Sequence, residues 1–135
     1  MPDCVLQATL ARLPNTLASL TTVSLVGAYR LSDDGLDALV TSAPLLSSVN
    51  LRGCSLLTSG GIISLAVKLK TTLRELYLDD CQDVDAMMIL RELRNLTFLE
   101  TLSIARIQNV CYKFIFSLVI RLGRNLKELA LADCQ

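Results

Sequence analysis

One spacing of apolar residues recurs along this chain and restricts its fold more than any other feature. Leu20-x-x-Val23-x-Leu25-x-x-Ala28 is followed by Leu46-x-x-Val49-x-Leu51-x-x-Cys54 and Leu73-x-x-Leu76-x-Leu78-x-x-Cys81. Leu99-x-x-Leu102-x-Ile104-x-x-Ile107 and Leu126-x-x-Leu129-x-Leu131-x-x-Cys134 complete the series. The last positions of the five copies, 28, 54, 81, 107 and 134, are separated by 26, 27, 26 and 27 residues. Leucine supplies 29 of the 135 residues. A core residue in excess at a fixed period marks a chain built of stacked units, none large enough to bury its apolar faces alone.

Each unit divides into two periodicities. Around Val23-x-Leu25, Val49-x-Leu51, Leu76-x-Leu78, Leu102-x-Ile104 and Leu129-x-Leu131 the alternation is two, which predicts a short strand in each of the segments 20–28, 46–54, 73–81, 99–107 and 126–134. The intervening stretches carry apolar residues three and four apart: Leu36, Leu39 and Val40; Ile62, Leu65, Ala66 and Leu69; Met88, Ile89 and Leu93. They predict helices, with Ser32, Thr58 and Asp85 as N-caps and Pro44 and Gly123 as stop signals. A further helix is expected from Asp3 to about Arg12, and another over Asn109 to Leu122. The last is apolar on more than one face and reads either as a segment buried under further sequence or as a partner-binding patch. Stacking makes the strands pair in parallel about 4.8 Å apart. The expected fold class is an α/β solenoid with about five parallel strands on the concave side and helices on the convex side. Positions 28, 54, 81, 107 and 134 turn inward where strand meets loop, and a small thiol there can donate its weak S–H to a loop carbonyl.

Composition removes several classes of function. The 13 basic and 13 acidic side chains cancel, so the excess of Lys and Arg that phosphate binding needs is missing and direct nucleic-acid binding is not expected. No histidine occurs, which excludes Ser–His and Cys–His nucleophile pairs and every metal site built on imidazole. No G-x-S-x-G elbow or Gly-rich phosphate loop is present, and no catalytic site, cofactor or enzyme activity is expected. The carboxylates Asp79, Asp80, Asp83 and Asp85 lack the glycine a calcium loop turns on, and Asp85 is explained as a cap, so no metal is expected. Met1-Pro2-Asp3-Cys4 does not open a secretory signal, and the apolar run Phe114–Ile120 falls short of the roughly 20 residues of a membrane span. An intracellular protein without a membrane segment is expected. The five cysteines form no C-x-x-C pair and are expected to be buried, reduced thiols.

Repetition puts the strand residues between the leucines in columns, one member per strand. The columns are Thr22, Ser48, Glu75, Thr101, Glu128; Ser24, Asn50, Tyr77, Ser103, Ala130; Val26, Arg52, Asp79, Ala105, Ala132; and Gly27, Gly53, Asp80, Arg106, Asp133. Asn50, Arg52, Glu75, Tyr77, Asp79, Asp80 and Arg106 make the middle of this surface the most decorated, and Tyr and Arg are enriched at binding hot spots. These seven are the candidate protein-binding residues. The alternative is that Arg52 and Arg106 only neutralise Asp79 and Asp80 on neighbouring strands.

The stretches LSSVNLRGCSLLTSGG (46–61) and LRELYLDDCQDVD (73–85) resemble the cysteine-containing leucine-rich-repeat family. LTTVSLVGAYRLSDDGLDALVTSAP and LRELYLDDCQDVDAMMIL are similar in texture to plant relatives of the fungal leucine-rich-repeat subunit of a nucleotide-excision-repair ubiquitin ligase. The resemblance implies a horseshoe of leucine-rich repeats and a role in substrate recognition for an F-box-type, cullin-RING ubiquitin ligase in protein degradation. A subunit of a DNA-repair ubiquitin ligase and a truncated repeat fragment without activity are the alternatives. The stretch before Leu20 is too short for an F-box, so contact with the ligase scaffold is expected to lie in sequence missing here. The whole of 1–135 reads as one repeat domain, part of a longer protein and uncapped at both ends, where it is expected to self-associate.

Overall fold

The computed structural model describes residues 17–131. The expected helix at Asp3–Arg12, the cysteines Cys4 and Cys134 and the column members Ala132 and Asp133 lie outside the described residues. Among the described residues five strands, β1 (Thr22–Ser24), β2 (Ser48–Asn50), β3 (Glu75–Tyr77), β4 (Thr101–Ser103) and β5 (Glu128–Ala130), alternate with four helices. The helices are α1 (Asp33–Ser42), α2 (Ser59–Lys68), α3 (Ala86–Leu93) and α4 (Tyr112–Leu122). The strands form one open sheet in the order β1-β2-β3-β4-β5, every pair parallel.

Register follows the repeat without a slip. Val23 pairs with Val49, Val49 with Leu76, Leu76 with Leu102 and Leu102 with Leu129, so the alternating 26- and 27-residue steps are absorbed in the connections. The ladder continues past the strand ends: Gly27 N donates to Arg52 O at 2.7 Å, Gly53 N to Asp79 O at 2.9 Å and Asp80 N to Ala105 O at 3.0 Å. In the bend that follows, Gly27 and Gly53 take φ +74°, while Asp80 and Arg106 hold the same left-handed conformation at φ +63° and +62°. Glycine enters that region without cost; aspartate tolerates it and arginine is strained there.

The central strand residues Val49, Leu76 and Leu102 are fully buried and share one core with the helix residues Leu36, Leu39, Val40, Ile62, Leu65, Ala66, Ile89 and Leu93. The helices pack in sequence, α1 on α2, α2 on α3, α3 on α4. Met88 departs from the expected apolar face and is exposed. The buried side of α3 is Ala86, Ile89 and Leu93, spaced three and four apart, and Met88 lies off it. The last helix begins at Tyr112, not Asn109: Asn109 is left-handed, at φ +59°, and belongs to the bend before it.

The caps differ in detail from what the sequence suggests. Ser32 accepts from Gly35 N at 3.4 Å and Asp85 from Met87 N at 2.9 Å. Thr58 stands at the N-cap of α2 but its side chain makes no cap bond. Asp33 of the preceding helix instead accepts from Thr58 N at 2.9 Å and from Thr58 Oγ1 at 2.5 Å, so one unit caps the next.

The inward positions behave as the repeat requires. Cys54 Sγ donates to Leu25 O and Cys81 Sγ to Leu51 O, both at 3.1 Å and each reaching back one strand. Burial raises the Cys54 thiol and pushes Cys81 up to about 12, so both stay protonated donors. Cys111 does not join them. It is exposed, because it occupies the N-cap of α4 rather than a strand-to-loop bend.

Candidate protein-binding face

Because alternate strand residues point to opposite sides of a sheet, the burial of Val49, Leu76 and Leu102 turns their neighbours to the face away from the core. Ser48, Glu75 and Thr101 stand in one row there, and Asn50, Tyr77 and Ser103 in the next.

Four of the seven candidate residues meet in the middle of this face. Asn50 Oδ1 accepts from Arg52 N at 3.2 Å. Arg52 Nε donates to Asp79 Oδ2 at 2.6 Å, and its guanidinium carbon lies 4.8 Å from the centre of the Tyr77 ring. A guanidinium over a phenol ring at that distance is attracted to the ring face. Tyr77 is half-buried, and burial, followed by the negative charge of Glu75 and Glu128, raises its phenol, which stays an O–H donor.

Asp79 is only 5% exposed, so it presents almost nothing to a partner. Its carboxylate accepts from Ser103 Oγ at 2.8 and 2.7 Å, from Ala105 N at 2.7 Å and from Arg52. It is the anchor that fixes Arg52 against the Tyr77 ring. Glu75 sits beside this group, accepting from Ser48 Oγ at 2.9 Å.

Asp80 and Arg106 stand apart as a second unit in the left-handed bend. Arg106 reaches Asp80 with two nitrogens, Nη2 at 2.9 Å from Oδ2 and Nε on Oδ1. That guanidinium holds the Asp80 carboxyl below the ordinary aspartate value. Both expected ion pairs, Arg52–Asp79 and Arg106–Asp80, are therefore present. Ser103 and Ser48 are the contributors that reasoning from residue type passed over. Both share a column with a candidate, Ser103 with Tyr77 and Ser48 with Glu75, which is the signal that marks them.

No family model matches the sequence, and no curated protein matches it. Solved structures do share its fold. A chain of the yeast Rad7–Elc1 complex superposes with a TM-score of 0.81 at 23% identity, over 97% of this chain and 31% of that one. Actin-binding site 2 of leiomodin-1 gives 0.68 at 17% identity, covering 92% of this chain and 77% of that chain. The C-terminal domain of Caenorhabditis elegans tropomodulin gives 0.69 at 14%, covering 94% and 82%. At these identities the likeness establishes the fold alone. The chain spans less than a third of its match in the Rad7–Elc1 complex.

Among the described residues no group of three or more Cys, Asp or Glu side chains is placed to hold a metal ion. No described helix is long and apolar enough to cross a membrane. The face instead offers a planar cation stacked on a phenol, an exposed ion pair and half-buried hydroxyls, all tied to neighbouring strands. Such a surface can make hydrogen bonds and aromatic contacts with little ordering of its own side chains.

Proposed function

We propose that the chain is a leucine-rich-repeat solenoid whose concave strand face binds another protein, without catalysis, as the substrate-recognition part of an intracellular ubiquitin ligase. The observation that carries the binding reading is the Arg52–Tyr77 stack, held from below by buried Asp79. Arg and Tyr dominate binding energy where they are preorganised and can be desolvated by a partner. The repeat resemblance supports the ligase context, and so does the fold shared with a chain of the Rad7–Elc1 complex, itself a protein–protein assembly. The second reading, a subunit of a DNA-repair-associated ligase, rests on the resemblance of the repeat sequence alone.

Affinity capture from cell extract tests both, comparing wild type with a variant carrying Arg52→Ala, Glu75→Ala and Tyr77→Ala. Mass spectrometry is expected to find partners that the triple variant loses, and these should carry ubiquitin that accumulates when the proteasome is inhibited. Identical partner sets would overturn the face as the working surface. Loss of partners that carry no ubiquitin would leave a binding module outside ubiquitin transfer.

A further inference from the structure

We propose that a cleft formed by the connections entering β3, β4 and β5 binds the phosphate of a phosphorylated side chain on a partner peptide.

The cleft has a volume of about 290 Å³ and is lined by Arg74, Phe98, Glu100, Arg124, Asn125 and Lys127. Strand pairing sets its spacing. Glu75, Thr101 and Glu128 are in register, so the residues before them, Arg74, Glu100 and Lys127, fall in one row. Glu100 stands in the middle and is shared. Arg74 Nη1 donates to its Oε2 at 2.8 Å, and Lys127 Nζ lies 2.9 Å from its Oε1. Lys127, then Arg74, hold the Glu100 carboxyl below its ordinary value, so it stays ionised.

Stacking does not require these charges. Thr21 and Ser47 occupy the same row before β1 and β2, where their carbonyls take the same ladder bonds that the Arg74 and Glu100 carbonyls take further on. Arg124, three residues before Lys127, stands where the earlier units have Pro44, Thr71 and Thr97.

Donors exceed acceptors in this cleft. Arginine and lysine side chains only donate. The nearby carbonyls are already taken, Thr97 O by Asn125 Nδ2 at 2.6 Å and Leu122 O by Asn125 N at 3.1 Å and Leu126 N at 3.0 Å. Arg124 makes no ion pair among the described residues. Three cations therefore share one carboxylate, which leaves two positive charges in excess. A phosphate monoester carries about −1.5 to −2 at neutral pH and presents acceptor oxygens that a guanidinium can hold in pairs. It matches the excess, whereas a single carboxylate covers half of it. Phe98, 46% exposed, offers apolar contact to the carbon chain that bears the phosphate. The cleft is separate from the strand face and does not depend on what that face binds.

The test titrates the isotope-labelled full chain with a short Gly/Ala peptide carrying one central serine, with its phosphoserine form and with inorganic phosphate, read by NMR of the backbone amides. The phosphoserine peptide is expected to shift the amides of 98–100 and 124–127. It should bind about tenfold more tightly than the serine peptide, and more tightly than inorganic phosphate. Arg124→Ala with Lys127→Ala should lose that preference. Glu100→Gln should strengthen binding, because it releases Arg74 and Lys127 to the ligand. Lys113→Ala with Arg121→Ala removes equal charge from positions that do not line the cleft and should leave the titration unchanged. The four substituted cations are exposed, and circular dichroism confirms that the variants fold. Equal or absent binding of the two peptides, inorganic phosphate bound as tightly as the phosphopeptide, or a preference that survives in the Arg124 and Lys127 variant would each overturn the proposal. So would weaker binding in Glu100→Gln, or the same loss in the Lys113 and Arg121 variant.

Discussion

Both carboxylate oxygens of Asp79 accept the one hydroxyl of Ser103, at 2.8 and 2.7 Å, across the pairing of β3 with β4. The same carboxylate takes Ala105 N and Arg52 Nε, so a single buried acid ties three neighbouring units together. It joins the architecture of the sheet to the chemistry of its open face.

This arrangement makes the two ends of the Arg52–Asp79 pair unequal. Asp79→Ala strands the Ala105 amide and the Ser103 hydroxyl out of water, and each lost partner costs about 1–3 kcal/mol. Arg52→Ala leaves the carboxylate satisfied by those two donors. Because the Arg52 side chain is nearly half exposed, water replaces it, at a cost of about 1 kcal/mol. Urea denaturation should therefore place the Asp79→Ala midpoint well below that of Arg52→Ala. Equal midpoints would show that Asp79 acts only as a counter-ion.

The strands, their order and their register were legible in the sequence because a leucine period of 26 to 27 residues leaves only one parallel stacking that buries every anchor. Which candidates reach a partner was not legible. Column position assigns Arg52 and Asp79 to one row, but it does not disclose that Asp79 sinks to the level of the backbone and is consumed by Ser103 and Ala105. Thr58 is the N-cap that the sequence suggests, but its bond to Asp33 was not legible for a related reason. Local cap rules look three residues ahead, whereas Asp33 is 25 residues away in sequence and adjacent only in the stack. Met88 was misplaced because the apolar residues of 86–93 outnumber one helix face, and only the stack selects Ala86, Ile89 and Leu93; Cys111 was misplaced because residue type does not tell an exposed N-cap from a buried bend.

Thiol reactivity should follow position in the repeat. Cys54 and Cys81 are buried donors with raised thiol values, Cys81 at about 12, whereas Cys111 is exposed. The thiolate is the reacting form. Iodoacetamide followed by peptide mapping is expected to modify Cys111 in the folded protein and to reach Cys54 and Cys81 only after urea unfolding. Labelling of Cys81 at the rate of Cys111 would contradict the buried hydrogen bond to Leu51 O.

Acid should weaken the fold through its exposed ion pairs. Lys68, then Ser64, lower Asp37 by hydrogen bonding; Arg106 lowers Asp80; Lys127, then Arg74, lower Glu100. A carboxyl held low in the folded state binds its proton more readily when unfolded. Its contribution is therefore complete above the unfolded value and disappears as the pH falls through the folded one, from about pH 4.5 downward. These groups are exposed, so the effect is modest and fades in about 1 M salt, where the screening length is about 3 Å. Urea midpoints measured across that pH range should fall at low salt, and less steeply in Arg106→Gln. A midpoint that is flat with pH would leave these pairs without a role in stability.

Gly61 offers the sharpest check on how one unit caps the next. A Cβ at this position comes within 2.1 Å of Asp33 Oδ1 and 2.7 Å of Asp33 Cγ, the group that holds both Thr58 N and Thr58 Oγ1. In an isolated helix, Gly→Ala gains up to about 1 kcal/mol. Here the methyl displaces a charged acceptor, and hydrogen bonds to charged groups contribute about 1.5–3 kcal/mol each. Gly61→Ala should therefore destabilise the wild type by about 1 kcal/mol or more. On an Asp33→Gly background the obstructing side chain is gone, and the same change should stabilise. A double-mutant cycle in urea reads this reversal directly. An unchanged sign on both backgrounds would mean that Asp33 does not cap α2 in solution.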